Sequence, residues 1–363
     1  MKALILGQFV NLGGTQYISY KVMDILKKAG FEVDVLSGKE HRYLPNDINH
    51  KFETNYPYFK EKSRFDILRN IRKLKAELRL YPLGNYDLTF NNHPNTFIYK
   101  ADINYLHGPS FIDSILLPDG TIKKNSLYYI LKYMKVYKSY NGANFLTHGK
   151  YTKRVSEINL PKIGIKPRRI DYIYIPVKTD FKVNLDKKER NEVLSFGRIM
   201  PDKNIEKILS IAKMSQAHFT IAGYVSPNHL DYLKKLELEK SENVTIVPNP
   251  SEELKNELYS RAWTYVHPKP MEHFGVTIAE AISFGCVPIV PKSGGAWEDV
   301  VEKGKYGIGY DNEEEASQYI LDSFKMGIEE RTDILESRYR FSFKGFEEKF
   351  IEIVKEVIQF RMQ

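Results

Sequence analysis

The chain opens with KALIL, then QYISYKVMDILKKAG, then EVDVLSG. A short apolar run, an amphipathic stretch and a second apolar run read as strand, helix, strand. Lys27, Lys28 and Gly30 supply the basic last turn and the glycine that end a helix. Two strands joined through a helix pair in parallel, so this start commits the chain to an α/β layered fold. Further strands are expected at 87–90, 103–106, 144–147 and 171–175.

A chain of 363 residues exceeds one ordinary core and fits two domains. The polar stretch IPVKTDFKVNLDKKERNE links a second series of short strands: VLSFGRIMPDKN, AHFTIAGY, NVTIVPNP, AWTYVHP and CVPIVPKSGG. Helical stretches such as IEKILSIAKM and SEELKNELYSRA lie between them. The expected organisation is a Rossmann-like first domain over 1–178, a linker at 179–191 and a second doubly wound domain over 192–340. The amphipathic segment FSFKGFEEKFIEIVKEVIQF makes 341–363 a terminal helix that must dock on existing structure.

Charge is uneven. Up to Lys178 there are 29 Lys and Arg against 15 Asp and Glu; beyond it there are 25 against 31. A basic half implies an anionic partner. Two amphipathic stretches carry much of this charge. In KEKSRFDILRNIRKLKAELRL, Ile67, Ile71, Leu74 and Leu78 share one helical face; KKNSLYYILKYMKVYKSY interleaves lysines and tyrosines without an acid. Either stretch suits a sheet-covering helix, and the second also suits a membrane interface. No zinc-ligand spacing or aromatic RNA-binding motif is present, so nucleic acid is not the expected partner. The first apolar run is short and reads as a buried strand, not a signal peptide, and no run of 18 apolar residues occurs. Cys286 sits alone in an apolar run, as a small core residue. A cytoplasmic setting, peripheral on the membrane's inner face, is the expectation.

Two stretches carry chemistry. In GRIMPDKN, Gly197 lets the backbone turn after a strand, and Arg198 and Lys203 offer two cations that can clamp a diphosphate. In PMEHFGVTIAEAISFGCVPIV, a helix starting near Gly275 presents free N–H groups of Phe274, Gly275, Val276 and Thr277 to an anion. Glu272 and Glu280 bracket that start. Two readings stay open: the carboxylates cap the helix, or they hold the hydroxyls of a ligand.

The pattern E-x-F-G followed by Glu, with AISFGCVPIV and SGGAWE behind it, resembles the retaining glycosyltransferases of family 4. GRIMPDKN is similar to that family's G-R-x-x-x-x-K-N, and the terminal helix to its crossing helix. NLGGTQ, YLHGPS and NFLTHGKYTKR resemble its first-domain motifs. The resemblance implies the GT-B fold: two Rossmann-like domains facing a central cleft, with a C-terminal helix crossing back to the first. It also implies a UDP- or GDP-sugar donor. Arg198 and Lys203 then neutralise the diphosphate, Glu280 holds the ribose and Glu272 the sugar hydroxyls. Gly197 belongs to the same phosphate loop, and the 273–277 backbone, from His273 to Thr277, forms a wall for sugar and phosphate. Gly13 and Gly14 close over the phosphate, and the base lies near Gly223 and Tyr224.

His107 falls where the family has a histidine near the reacting carbon; His148 stands where Ser is commoner, and His93 is structural or on the acceptor side. No Asp-x-Asp occurs, so the cations replace a metal and no cofactor is expected. The acceptor is a glycan or a lipid-linked glycan. A sugar-nucleotide epimerase shares the fold, but it needs acid/base groups around the sugar ring and no acceptor.

Overall fold

The structure is a computed structural model that describes residues 1–7, 14–38, 49–54, 86–94, 99–108 and 138–362. Gly13, the expected helix at 60–80 and residues 123–137 of the expected helix at 123–140 lie outside them. Two compact units emerge. One comprises Met1–His148, Thr152–Ile173 and Glu347–Gln363; the other comprises Gly149–Tyr151 and Tyr174–Phe346.

The first unit is built on β1 (Lys2–Leu6), α1 (Gly14–Lys28), β2 (Glu32–Gly38), β3 (Asn49–Thr54), β4 (Leu88–Asn91), β5 (Ile103–Leu106) and β6 (Asn144–Thr147). A helix α2 (Lys150–Asn159) and β7 (Arg169–Tyr172) complete the run. All pairs are parallel, in the order β3-β2-β1-β4-β5-β6-β7. The apolar run of β1 follows from its place: Ala3 to Leu6 are flanked by β2 and β4 and fully buried. The last strand begins two residues before the expected 171–175, because Asn144 pairs with Arg169 and Thr147 with Tyr172. The sequence of β3, NHKFET, has no strand periodicity, and it forms by pairing with β2.

The second unit contains β8 (Glu189–Arg198), α3 (Glu206–Lys213), β9 (His218–Tyr224), α4 (Leu230–Glu239), β10 (Val244–Pro248) and α5 (Glu252–Arg261). It continues through β11 (Ala262–Val266), α6 (Val276–Ser283), β12 (Val287–Pro291), β13 (Ile308–Tyr310), α7 (Glu313–Ser323) and α8 (Ile328–Glu336). Its parallel sheet runs β10-β9-β8-β11-β12-β13. Counted along this unit, that is the 3-2-1-4-5-6 order of a doubly wound fold. Alternate residues feed two cores. Leu194, Phe196, Tyr265 and Val287 pack with α5 and α6, while Val193, Phe219, Val266 and Ile289 pack with α3, α4 and α7.

The stretch expected as a linker belongs to this unit. Lys188 is buried, and its Nζ donates to the carbonyls of Tyr259 (2.7 Å) and Ala262 (2.9 Å) at the end of α5. A cation at a helix C-terminus satisfies carbonyls the helix leaves open. The final helix, α9 (Phe343–Met362), passes into the first unit from Glu347 onward, where Phe350 meets the ring of Phe90 edge-on at 5.7 Å. No described helix is long and apolar enough to cross a membrane.

Candidate active site

In the second unit the strand order reverses between β8 and β11, and ligands of such sheets bind beyond the strand ends at that point. Arg198 ends β8, exposed and without an ion pair among the described residues. Gly197 does not turn the chain as expected. It continues β8 in register with Gly223, and a Cβ there would meet nothing within 4 Å. Its lack of a side chain leaves open space beside Arg198. Gly223 is the constrained partner: at φ +153°, a Cβ would lie 1.5 Å from the Gly197 carbonyl oxygen.

Lys203 closes a short turn, Pro201–Lys203, and Asn204 follows in left-handed conformation. The Lys203 Nζ reaches Glu272 Oε2 at 2.9 Å. The structure therefore brings together a cation assigned to phosphate and a carboxylate assigned to sugar. His267, just after β11, places Nε2 3.7 Å from the same oxygen. Burial alone would raise the Glu272 carboxyl, but His267 and Lys203 outweigh it and hold the group well below the usual carboxylate range.

The loop carrying Glu272 is fixed through its backbone. Gly295 N–H donates to the Glu272 carbonyl at 2.7 Å, and Met271 N–H donates to Ser293 Oγ at 3.1 Å. A Cβ on Gly295 would sit 2.0 Å from the His273 carbonyl oxygen, so the SGG stretch packs backbone to backbone on this loop. Gly275 is the N-cap of α6 at φ +96°. The side chain of Phe274 is buried against Tyr174 and Phe341, which leaves it only a backbone contribution. His273 is half-buried, as are Val276 and Thr277 at the helix start. Thr277 Oγ1 accepts from the Tyr265 hydroxyl at 2.8 Å.

Neither glutamate caps α6, whose first turn has no acid and whose N-cap has no side-chain bond. Glu280 instead takes Lys255 Nζ at 3.0 Å and the Tyr259 hydroxyl at 3.3 Å, both from α5. Burial would lower the Lys255 ammonium, and Glu280 more than offsets that. Tyr224, at the end of β9, is exposed; its ring meets Phe196 edge-on at 6.1 Å and its hydroxyl donates to Glu252 at 3.1 Å. One exposed guanidinium, a helix start and two carboxylates held by neighbouring ammonium groups thus share the strand-end face of this unit.

In the first unit, Gly14 is the first residue of α1, and Gly13 lies outside the described residues. His107 follows β5, with Nε2 at 3.0 Å from the Asn92 carbonyl and 2.8 Å from Asn92 Oδ1. Burial lowers its affinity for a proton well below the ordinary histidine value, and His93 and His148 add to this. The His93 ring lies 5.7 Å from that of His107, and burial brings its pKa down to about 4. His148 is buried, with Nε2 3.3 Å from Thr152 Oγ1.

Sequence reasoning missed Lys255, Tyr259, His267 and Asn92. Lys255 and Tyr259 stand four apart on α5, a spacing that places them on one helical face, which was the available signal. His267 and Asn92 sit just past strand ends, where α/β sheets place functional groups.

Residues 176–340 match the family described as "Glycosyl transferases group 1". The GDP-Man:Man(3)GlcNAc(2)-PP-Dol alpha-1,2-mannosyltransferase of Dictyostelium discoideum is 24% identical over 195 residues, which are 48% of this chain and 39% of that protein. The chain therefore spans well under half the length of that relative. Glycogen synthase of Natranaerobius thermophilus is 22% identical over 366 residues, 90% of this chain and 70% of the other. A crystal structure of a glycosyltransferase from Rickettsia africae ESF-5 superposes with a TM-score of 0.69 at 20% identity, covering 98% of each chain. Residues 176–340 thus resemble a glycosyl transferases group 1 domain, within a chain that has the fold of the solved GT-B glycosyltransferases.

Proposed function

We propose that this chain is a retaining glycosyltransferase that moves a sugar from a UDP- or GDP-sugar to a glycan or lipid-linked acceptor without a divalent metal. The observation that carries the reading is the strand-end constellation of the second unit: exposed Arg198, the Lys203–Glu272 pair and the Gly275 helix start at the order reversal of the sheet. Arg198 is ready for a phosphate as it stands. Lys203 exchanges the Glu272 carboxylate for a diphosphate oxygen, which releases Glu272 to accept from sugar hydroxyls. The α6 amides face the charge that grows on the departing phosphate. Glu280, steadied by Lys255 and Tyr259, accepts from the ribose diol.

No enzymic nucleophile is required. The bond from the anomeric carbon to phosphate oxygen breaks, the acceptor oxygen bonds to that carbon on the same face, and the leaving phosphate takes the acceptor proton. Positioning and charge stabilisation supply the catalysis. The relative whose name includes GDP-Man and PP-Dol supports a GDP-sugar and a lipid-linked acceptor. The excess of 29 Lys and Arg over 15 Asp and Glu up to Lys178 supports work at an anionic, cytoplasmic membrane face.

The test is nucleoside diphosphate release from a panel of UDP- and GDP-sugars, with lipid-linked and free glycan acceptors, in excess chelator. Acceptor-dependent release with an α-configured product from an α-configured donor is expected. Turnover that vanishes in chelator and returns only with manganese or magnesium contradicts the metal-free reading.

A further inference from the structure

We propose that Asn92 is a positioning residue that locks His107 in the Nε2–H tautomer, so that the His107 Nδ1 lone pair accepts a hydrogen bond from a substrate hydroxyl. The identity of that hydroxyl, on the sugar or the acceptor, rests on the transferase reading above; the tautomer does not.

His107 Nε2 faces two oxygens of one residue, the Asn92 carbonyl at 3.0 Å and Oδ1 at 2.8 Å. A backbone carbonyl only accepts, so Nε2 must carry the hydrogen, whichever way the amide of Asn92 is oriented. The amide orientation agrees, since Asn92 Nδ2 lies 2.6 Å from Ser19 Oγ on α1 and turns Oδ1 toward the imidazole. Asn92 is fully buried, and its own N–H donates to the Leu6 carbonyl at 2.9 Å, which ties this clamp to the end of β1.

With Nε2–H spent on Asn92, Nδ1 has no hydrogen-bond partner among the described residues, and the side chain is only partly covered. His93 and His148 are the titratable neighbours that act on the ring, and Tyr105 packs edge-on at 4.7 Å; together with burial the two histidines keep the imidazole neutral. A neutral lone pair accepts from a hydroxyl and repels a phosphate oxygen. The ligand class is thus a hydroxyl donor, and the clamp excludes a diphosphate contact for His107.

Two measurements decide it, both on the full chain. Nitrogen-15 NMR of labelled histidines, with His107 assigned from His107→Gln, is expected to show protonated Nε2 and bare Nδ1 between about pH 6 and 8, where free histidine titrates. An Nδ1–H tautomer, or an imidazolium in that range, overturns the proposal and leaves the transferase reading untouched. Asn92→Asp places a negative charge on the Nε2–H and raises the pKa of His107. Protonation then fills Nδ1, so kcat/KM falls about tenfold per pH unit below that raised pKa, while the wild type stays flat over the same interval. A folded Asn92→Asp enzyme with the wild-type profile overturns the positioning role. The wild-type NMR result stands whether or not the variant folds or any donor is turned over.

Discussion

At Glu272 two groups of opposite character to the carboxylate converge on one oxygen, Lys203 at 2.9 Å and His267 at 3.7 Å. With side chains only 16% and 21% exposed, Glu272 and Lys203 hold each other in place in a partly desolvated setting. Arg198, exposed and without an ion pair among the described residues, contrasts with this. Arg198→Ala should therefore lower kcat/KM by two to three decades, about 2.7 to 4 kcal/mol, with an unchanged circular dichroism spectrum. Activity within about threefold of wild type would count against its role. Gly275 makes a different residue-level prediction. At φ +96°, with a Cβ only 2.5 Å from Ile278 Cδ1, Gly275→Ala should cost about 1 to 3 kcal/mol and lower the melting temperature by several degrees. An unshifted transition would show the α6 start to be more pliable than its geometry implies. The sequence showed these residue types and their spacing but not their partners. Glu272 and Glu280 were legible as hydroxyl holders or caps, and only the fold, which brings residues 203 and 255 beside them, decides against capping.

At the scale of elements, α5 and α6 act as a pair. Lys255 and Tyr259 on one grip Glu280 on the other, and buried Lys188 holds the far end of α5. Lys255→Met should leave the fold intact and loosen Glu280, raising the KM for donor about tenfold with a smaller change in kcat. An unchanged KM in steady-state assays would remove Glu280 from the donor site. Most strands and helices of the second unit were legible because both faces of a parallel sheet are buried, which writes continuous apolar runs into the sequence. Elements lacking such runs were not. Strand β3 is mostly polar, β13 has three residues, IGY, and α4 exposes Leu230 and Leu238, so its helical pattern is weak. Gly197 was misread for a related reason: a glycine after an apolar run signals a turn, but here it extends β8, since its partner Gly223 is the residue that needs the unusual backbone.

Over the whole molecule, both units use the same strand order, 3-2-1-4-5-6, with an added seventh strand in the first. The residues assigned to the site lie at strand ends in both: Asn92 and His107 directly after β4 and β5 in one, Arg198 at the end of β8 and Glu272 after β11 in the other. Buried His93 also gives the first unit a dependence on acid pH. Burial lowers His93 to about 4, below the value of an unfolded histidine near 6.5, so protons bind the unfolded chain better. The contribution is complete above about pH 6.5 and is lost as pH falls toward 4. Thermal unfolding should show the first unit weakening over that window, and His93→Gln should reduce the slope; identical slopes would contradict it. Because the basic excess lies before Lys178, binding to anionic vesicles should weaken with added salt, and a flotation assay leaving the chain wholly unbound at low salt would remove the membrane from the account.

In the proposed reaction the second unit holds the diphosphate of a nucleotide-sugar. A thermal-shift panel of UDP, GDP, ADP and their sugars, run on the wild type and on Arg198→Ala, tests it most directly. One nucleoside diphosphate at a hundred times its dissociation constant should stabilise the wild type by about 2.7 kcal/mol, and the shift should largely disappear in the variant at the same concentration. No shift with any nucleotide, or an equal shift in both proteins, would contradict the account.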